Sequence, residues 1–127
     1  MKIMVVDDEE DIKLLFKYKF KKEISEHSID FSFKLSAIEA IEYLQNEKNS
    51  DLVLILSDIN MPGMTGLELL KFLKEKYPEI KVFIITAYGD RKNFDKAMEF
   101  GADDFITKPI NFNELKEKMH RVLDNQK

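Results

Sequence analysis

With 127 residues, 44 % of them apolar and 35 % charged, the chain has material for one folded unit with a core of its own and little room for two. A net charge of −4, with no basic stripe and no nucleic-acid motif, argues against direct binding of DNA or RNA. The absence of cysteine excludes thiol catalysis, disulfides and thiolate metal sites, and no apolar run approaches the ~20 residues of a membrane helix.

The N-terminus enters a strand pattern at once, Ile3-Met4-Val5-Val6, without a signal-peptide pattern, so the expected compartment is the cytoplasm. A first helix follows, with Ile12, Leu15, Phe16 and Phe20 on one face and Lys13, Lys17 and Lys21 on another. The acids Glu9, Glu10 and Asp11 read as its solvated first turn. From Ile29 to Leu35 the pattern alternates: Ile29, Phe31, Phe33 and Leu35 against Asp30, Ser32 and Lys34. One wetted face predicts an edge strand. Ser36-Ala37-Ile38-Glu39 reads as a capping box that opens the second helix.

The third strand pattern, Leu52-Val53-Leu54-Ile55-Leu56-Ser57, resembles the first in being short, unbroken and rich in branched residues. That composition predicts a strand buried on both faces. Thr65-Gly66-Leu67-Glu68 is a second capping box, and Leu69, Leu70 and Leu73 form the stripe of the helix it opens. Val82-Phe83-Ile84-Ile85 is the fourth strand pattern. Phe94, Ala97, Met98 and Gly101 mark the fourth helix, and Asp104 to Thr107 a short last strand. Asn111 with Glu114 opens a fifth helix striped by Leu115, Met119 and Val122. The polar tail begins near Asp124.

Five strands alternating with five helices predict an α/β fold with a mostly parallel, doubly wound sheet. An edge position for the second strand fits the order 2-1-3-4-5, which places the switch point between strands 1 and 3. Ligands of open α/β sheets gather outside the carboxyl ends of the strands at such a point. Asp7 and Asp8 follow the first strand, Asp58 the third, Thr86 the fourth and Lys108 the fifth. Three carboxylates, an ammonium and a hydroxyl at one edge describe a site for a divalent cation and a phosphoryl group. Clustered carboxylates repel one another unless a cation lies among them. Mg²⁺ suits an all-oxygen set that leaves positions for water and phosphate. Asp58, at the end of a central strand, is costly to bury unless paired or metal-bound, and a carboxylate can act as nucleophile to form an acyl phosphate.

The blocks Val5-Val6-Asp7-Asp8-Glu9, Ser57-Asp58-Ile59-Asn60-Met61-Pro62-Gly63-Met64-Thr65-Gly66, Ile84-Ile85-Thr86-Ala87 and Gly101-Ala102-Asp103-Asp104-Phe105-Ile106-Thr107-Lys108-Pro109 stand in order along the chain. With them the sequence, from Lys2 to about Leu123, resembles the receiver domain of two-component response regulators. The resemblance implies a flavodoxin-like fold and a single receiver domain over residues 1–127. It implies that Asp58 accepts a phosphoryl group from a sensor histidine kinase or a histidine phosphotransfer protein. It implies Mg²⁺ held by Asp8, Asp58 and the backbone carbonyl of Asn60, with Asp7 holding a metal-bound water. Lys108, with a cis bond to Pro109, and Thr86 match the groups that contact the phosphoryl. Phe105 matches the aromatic switch, although it lacks a tyrosine hydroxyl. The fourth helix, last strand and fifth helix are then the moving face toward a downstream target protein or output domain. Asn60 and Tyr88 are expected to set the lifetime of the phosphorylated state, and the first helix, through Ile12 and Leu15, to dock on the donor. The chain is expected to be a signalling phosphoacceptor and not an enzyme.

An aspartate-nucleophile phosphatase of the haloacid dehalogenase type is one alternative, since Asp58-Ile59-Asn60 echoes its Asp-x-Asp motif. Asn60, however, stands where the general acid is needed, and the motif sits on the third strand. A flavodoxin-like binding module without phosphorylation is another. There the acids from Asp7 to Asp11 would repel the cofactor phosphate. His27 and His120 are read as surface residues with no donor role.

Overall fold

The computed structural model describes residues 1–46, 51–87 and 89–124. Its strands are β1 (Lys2–Val6), β2 (Asp30–Lys34), β3 (Leu52–Asp58), β4 (Lys81–Ala87) and β5 (Asp104–Lys108), all parallel in one sheet of order β2-β1-β3-β4-β5. The helices among the described residues are α1 (Asp11–Lys19), α2 (Lys21–Ser25), α3 (Ala37–Asn46), α4 (Gly66–Lys76), α5 (Arg91–Glu99) and α6 (Phe112–Asp124). The fourth and fifth helices of the sequence reading are therefore α5 and α6. The polar-tail residues 125–127 lie outside the described residues.

The sheet has a layer of helices on each face, and alternation along the strands assigns the residues to them. Ile3, Val5, Leu54, Leu56, Phe83, Ile85 and Ile106 pack with Phe16 and Phe20 and with Phe112, Leu115 and Met119 of α6. Met4, Val6, Ile55, Val82 and Ile84 pack on the other face with Ala40 of α3, with Leu69, Leu70 and Leu73 of α4 and with Ala97 of α5. A register shift opposite Lys2 and Ile3 sets Leu52 on one face and Leu54 on the other of two residues that alternation alone would place together. β2 lies at the sheet edge, with Phe31 and Phe33 inward and Asp30 exposed, as its alternation predicts.

Three helical details differ from the sequence reading. Five helices are expected, but the first pattern divides at Phe20, whose φ of −107° and ψ of 23° leave helical values. The short α2 continues from there and is tied to α6 by a Glu23–Lys116 ion pair at 2.9 Å. The buried stripe of α1 is Phe16 followed by Phe20, with Ile12 half-buried. Leu15 is 40 % exposed because it falls at the stripe's border. On α5, Met98 is 41 % exposed and only Ala97 is buried, so Met98 is not part of the core. The capping devices follow their sequence signatures. Thr65 and Glu68 form the full reciprocal box of α4, Ser36 Oγ accepts from Glu39 N–H, and Asn111 Oδ1 accepts from Glu114 N–H.

Candidate functional site

The strands run slightly further than the apolar runs suggest. Asp58 is the last residue of β3, Thr86 the next to last of β4, and Lys108 the last of β5. Val6 pairs with Ser57 and Asp58 with Ile85, so Asp7 and Asp8 emerge beside Asp58 at the carboxyl edge. Ala87 pairs with Lys108 at that same edge.

Oxygens of Asp7, Asp8 and Asp58 lie within 4.8 Å of one another. Asp7 and Asp58 are buried, and Asp8 is exposed at the mouth. Lys108 Nζ donates to Asp58 Oδ2 at 2.9 Å and lies 3.9 Å from Asp7 Oδ2. Asp58 Oδ1 accepts from Asn60 N–H at 3.2 Å, and Asp7 Oδ1 accepts from Glu9 N–H at 2.9 Å. Asp7 Oδ2 and Thr86 Oγ1 are buried with no hydrogen-bond partner. The structure thus brings the three acids and Lys108 together, while the Thr86 hydroxyl hydrogen-bonds to none of them. The Lys108–Pro109 peptide is cis. Phe105 lies beside Phe94 of α5, and Tyr88 lies outside the described residues.

Burial pushes the Asp7 carboxyl above its ordinary range, and the charge of Asp58 adds to the effect. The Glu9 N–H and the Lys108 ammonium oppose it without cancelling it. For Lys108, burial works to lower the pKa. The hydrogen bond to Asp58 and the charges of Asp58, Asp7 and Glu9 outweigh it, so the net shift is upward. A buried carboxylate oxygen without a partner, among three acids and one ammonium, is the electrostatic setting that a bound divalent cation relieves. The hard oxygen set suits Mg²⁺.

Two residues hold this edge in place that the sequence reading did not single out. A Cβ on Gly66 would lie 2.2 Å from the carbonyl oxygen of Asp58 and 2.6 Å from the Cα of Ile59. The first turn of α4 can therefore sit against the end of β3 only with glycine there, and Gly66 N–H donates to Ile59 O at 2.9 Å. The available signal was a glycine placed directly after a capping threonine. Asp103 Oδ2 accepts from Lys74 Nζ at 2.6 Å and from Val82 N–H at 2.8 Å, which fastens α4, β4 and the entry to β5 together. Only the three-dimensional pairing reveals that role. His27 and His120 are exposed.

A family profile described as response regulator receiver domain matches residues 3–120. Among curated relatives, the sporulation initiation phosphotransferase F of Bacillus subtilis strain 168 is 32 % identical over 122 residues, covering 96 % of this chain and 93 % of the relative. A cyclic di-GMP phosphodiesterase of Thermotoga maritima is 33 % identical over 99 % of this chain, which spans only 32 % of that relative's length. Among solved structures, a CheY-like response regulator receiver domain protein from Methanospirillum hungatei superposes with a TM-score of 0.85 at 31 % identity, covering 98 % of this chain and 94 % of that one.

Proposed function

The chain belongs to the response regulator receiver domain family, and from that membership we propose that it is the phosphoacceptor of a two-component phosphorelay, taking a phosphoryl group on Asp58. The observation that carries this is the convergence of Asp7, Asp8 and Asp58 within 4.8 Å, with Lys108 hydrogen-bonded to the Asp58 carboxylate. The donor is a sensor histidine kinase or a histidine phosphotransfer protein. Residues 1–127 act as one receiver domain in the cytoplasm. No helix of the described residues is long and apolar enough to cross a membrane.

The chemistry follows from the charges. An Asp58 carboxylate oxygen attacks phosphorus in line, the O–P bond forms, and the donor's N–P bond breaks with its electron pair leaving on the histidine nitrogen. A carboxylate nucleophile has no proton to give up, so the step needs no general base. Asp8, Asp58 and the Asn60 carbonyl would hold Mg²⁺, and Asp7 would hold one of its waters. Mg²⁺ held there would supply neutralisation of the charge that gathers on the transferred oxygens. Lys108, which contacts Asp58 at rest, screens the remaining charge by contacting the phosphoryl group. Thr86 turns its unpartnered hydroxyl to the phosphoryl oxygens, and Phe105 follows it inward. The phosphoryl group thereby favours one of two arrangements of the α5–β5–α6 face, by the difference in its contacts with each. That face controls a downstream target protein or output domain. Asn60 and Tyr88 set the lifetime of the phosphorylated state. The chain catalyses no turnover of another molecule.

Docking of the donor falls to α1. Leu14 is 70 % and Tyr18 72 % exposed, one turn apart and flanked by Lys13, Lys17 and Lys21. They stand beside Leu15, 40 % exposed, and the half-buried Ile12, the apolar contacts expected from sequence. The Leu14→Ala, Tyr18→Ala double variant should slow transfer from a phosphorylated histidine phosphotransfer protein and leave phosphorylation by acetyl phosphate unchanged.

The function is tested by incubation with acetyl phosphate and Mg²⁺, read by intact-protein mass. A gain of one phosphoryl group in wild type, absent in Asp58→Asn and without Mg²⁺, is expected. No gain in wild type, or an equal gain in the variant, would refute the assignment.

A further inference from the structure

The ammonium of Lys118, on α6, makes an unusual set of contacts for a lysine. Nζ donates to the backbone carbonyl of Phe105 at 2.6 Å and lies 4.3 Å from the centre of the Phe105 ring. The same nitrogen is 3.2 Å from Asp104 Oδ1 and 3.4 Å from Glu114 Oε1, and its side chain is 12 % exposed. Two carboxylates thus place the cation, and the cation then holds both the strand and the aromatic ring that follows Asp104. On another side, the edge of the Phe94 ring meets Phe105 at 4.5 Å and 81°. Beside the ring opens a recess of about 340 Å³ that also borders Thr86. The buried Thr86 hydroxyl has no partner.

From these contacts we propose that Lys118 is a positioning residue for the Phe105 switch, a cationic latch that holds the ring out of the recess next to Thr86. The latch rests on the switching role given to Phe105 above, and Lys118 is what opposes that switch. A ring that moves toward Thr86 gives up the ammonium over its face, and a partly desolvated cation–ring contact resists that change. Asp104 and Glu114 hold the ammonium in place, so the latch is anchored independently of the ring. Removal of the charge therefore raises the population of the inward arrangement. A ligand that selects that arrangement then binds more tightly by the same factor.

The test compares wild type with Lys118→Met, which keeps an unbranched apolar stem, and Lys118→Arg, which keeps a cation. Thermal melts confirm that each variant is folded. In Mg²⁺ with beryllium fluoride as phosphoryl mimic, Lys118→Met is expected to bind roughly threefold or more tightly than wild type, the scale of one lost cation–π contact. Lys118→Arg should stay near wild type. The Phe105 ring resonances, observed by NMR without any phosphoryl mimic, should move in Lys118→Met and remain in Lys118→Arg. A lysine that merely stabilises the fold would lower the melting temperature without moving either readout. Unchanged ring resonances in folded Lys118→Met overturn the proposal, as does unchanged affinity where wild type binds the mimic. If wild type binds no mimic, the phosphoacceptor function fails, and the ring resonances still decide the latch by themselves.

Discussion

Asp7 shows how a single carboxyl can oppose the fold that positions it. Its Oδ2 is buried without a hydrogen-bond partner, beside Asp58 and 3.9 Å from the Lys108 ammonium. Because folding raises its pKa, the carboxyl's contribution to stability is fully present below the ordinary carboxylate range and is lost as pH rises through the folded-state value. At pH 7 without a divalent cation, Asp7→Asn should therefore stabilise the protein by about 1 kcal/mol or more, the scale of an unsatisfied buried group. Urea midpoints at pH 7 and near pH 4 check the sign, and the gap between variant and wild type should narrow in acid. Addition of Mg²⁺ should raise the wild-type midpoint more than the variant's. Asp7, Asp8, Asp58, Thr86 and Lys108 were legible in sequence because each combines polar chemistry with a strand end, and strand ends of a parallel sheet share one edge. The orphaned oxygen of Asp7 was not legible, since it depends on where Lys108 comes to rest. Lys118 was hidden for the same reason, being one lysine among many until a ring and a carbonyl are placed beside it.

Among the elements, the strands could be read because burial on both faces leaves a continuous apolar signature, and β2 because an edge strand alternates. The division between α1 and α2 carries no glycine or proline to announce it. The exposed Leu15 and Met98 show the limit of periodicity: it identifies an apolar stripe but not how far the neighbouring layer extends over its border. Phe16 joins several elements on one face of the sheet. Its ring meets Phe112 of α6 at 5.1 Å, Phe31 of β2 at 5.6 Å and Phe20 at 5.8 Å. Phe16→Ala should cost about 3–5 kcal/mol in urea unfolding, and the cavity it leaves would loosen β2 from α6. On the opposite face, Gly66→Ala would force a methyl group into the backbone of Asp58 and Ile59. A loss of about 3 kcal/mol or more in stability is expected, because backbone cannot yield as a flexible side chain can. A near-neutral Gly66→Ala would mean that α4 is not seated against the end of β3.

At the scale of the whole molecule, the sheet order places two central strand ends side by side and lets α1 and α4 leave from the same edge as the acids. The order 2-1-3-4-5 was legible from the edge character of β2 together with the resemblance to receiver domains, whereas pattern alone left strand order open. One edge then gathers the acids, the ammonium and the unpartnered hydroxyl, while Phe105 of β5 packs against Phe94 of α5. The proposed switch requires that a covalent change at Asp58 alter the α5–β5–α6 face, so everything depends on Asp58 itself receiving the phosphoryl group. The direct test is treatment with acetyl phosphate and Mg²⁺, reduction with borohydride, and sequencing of the peptides by mass spectrometry. An acyl phosphate on Asp58 is converted to homoserine at position 58, and that product is expected there and at no other acid. An unreduced aspartate at 58, or homoserine at position 7 or 8 in its place, would contradict the account.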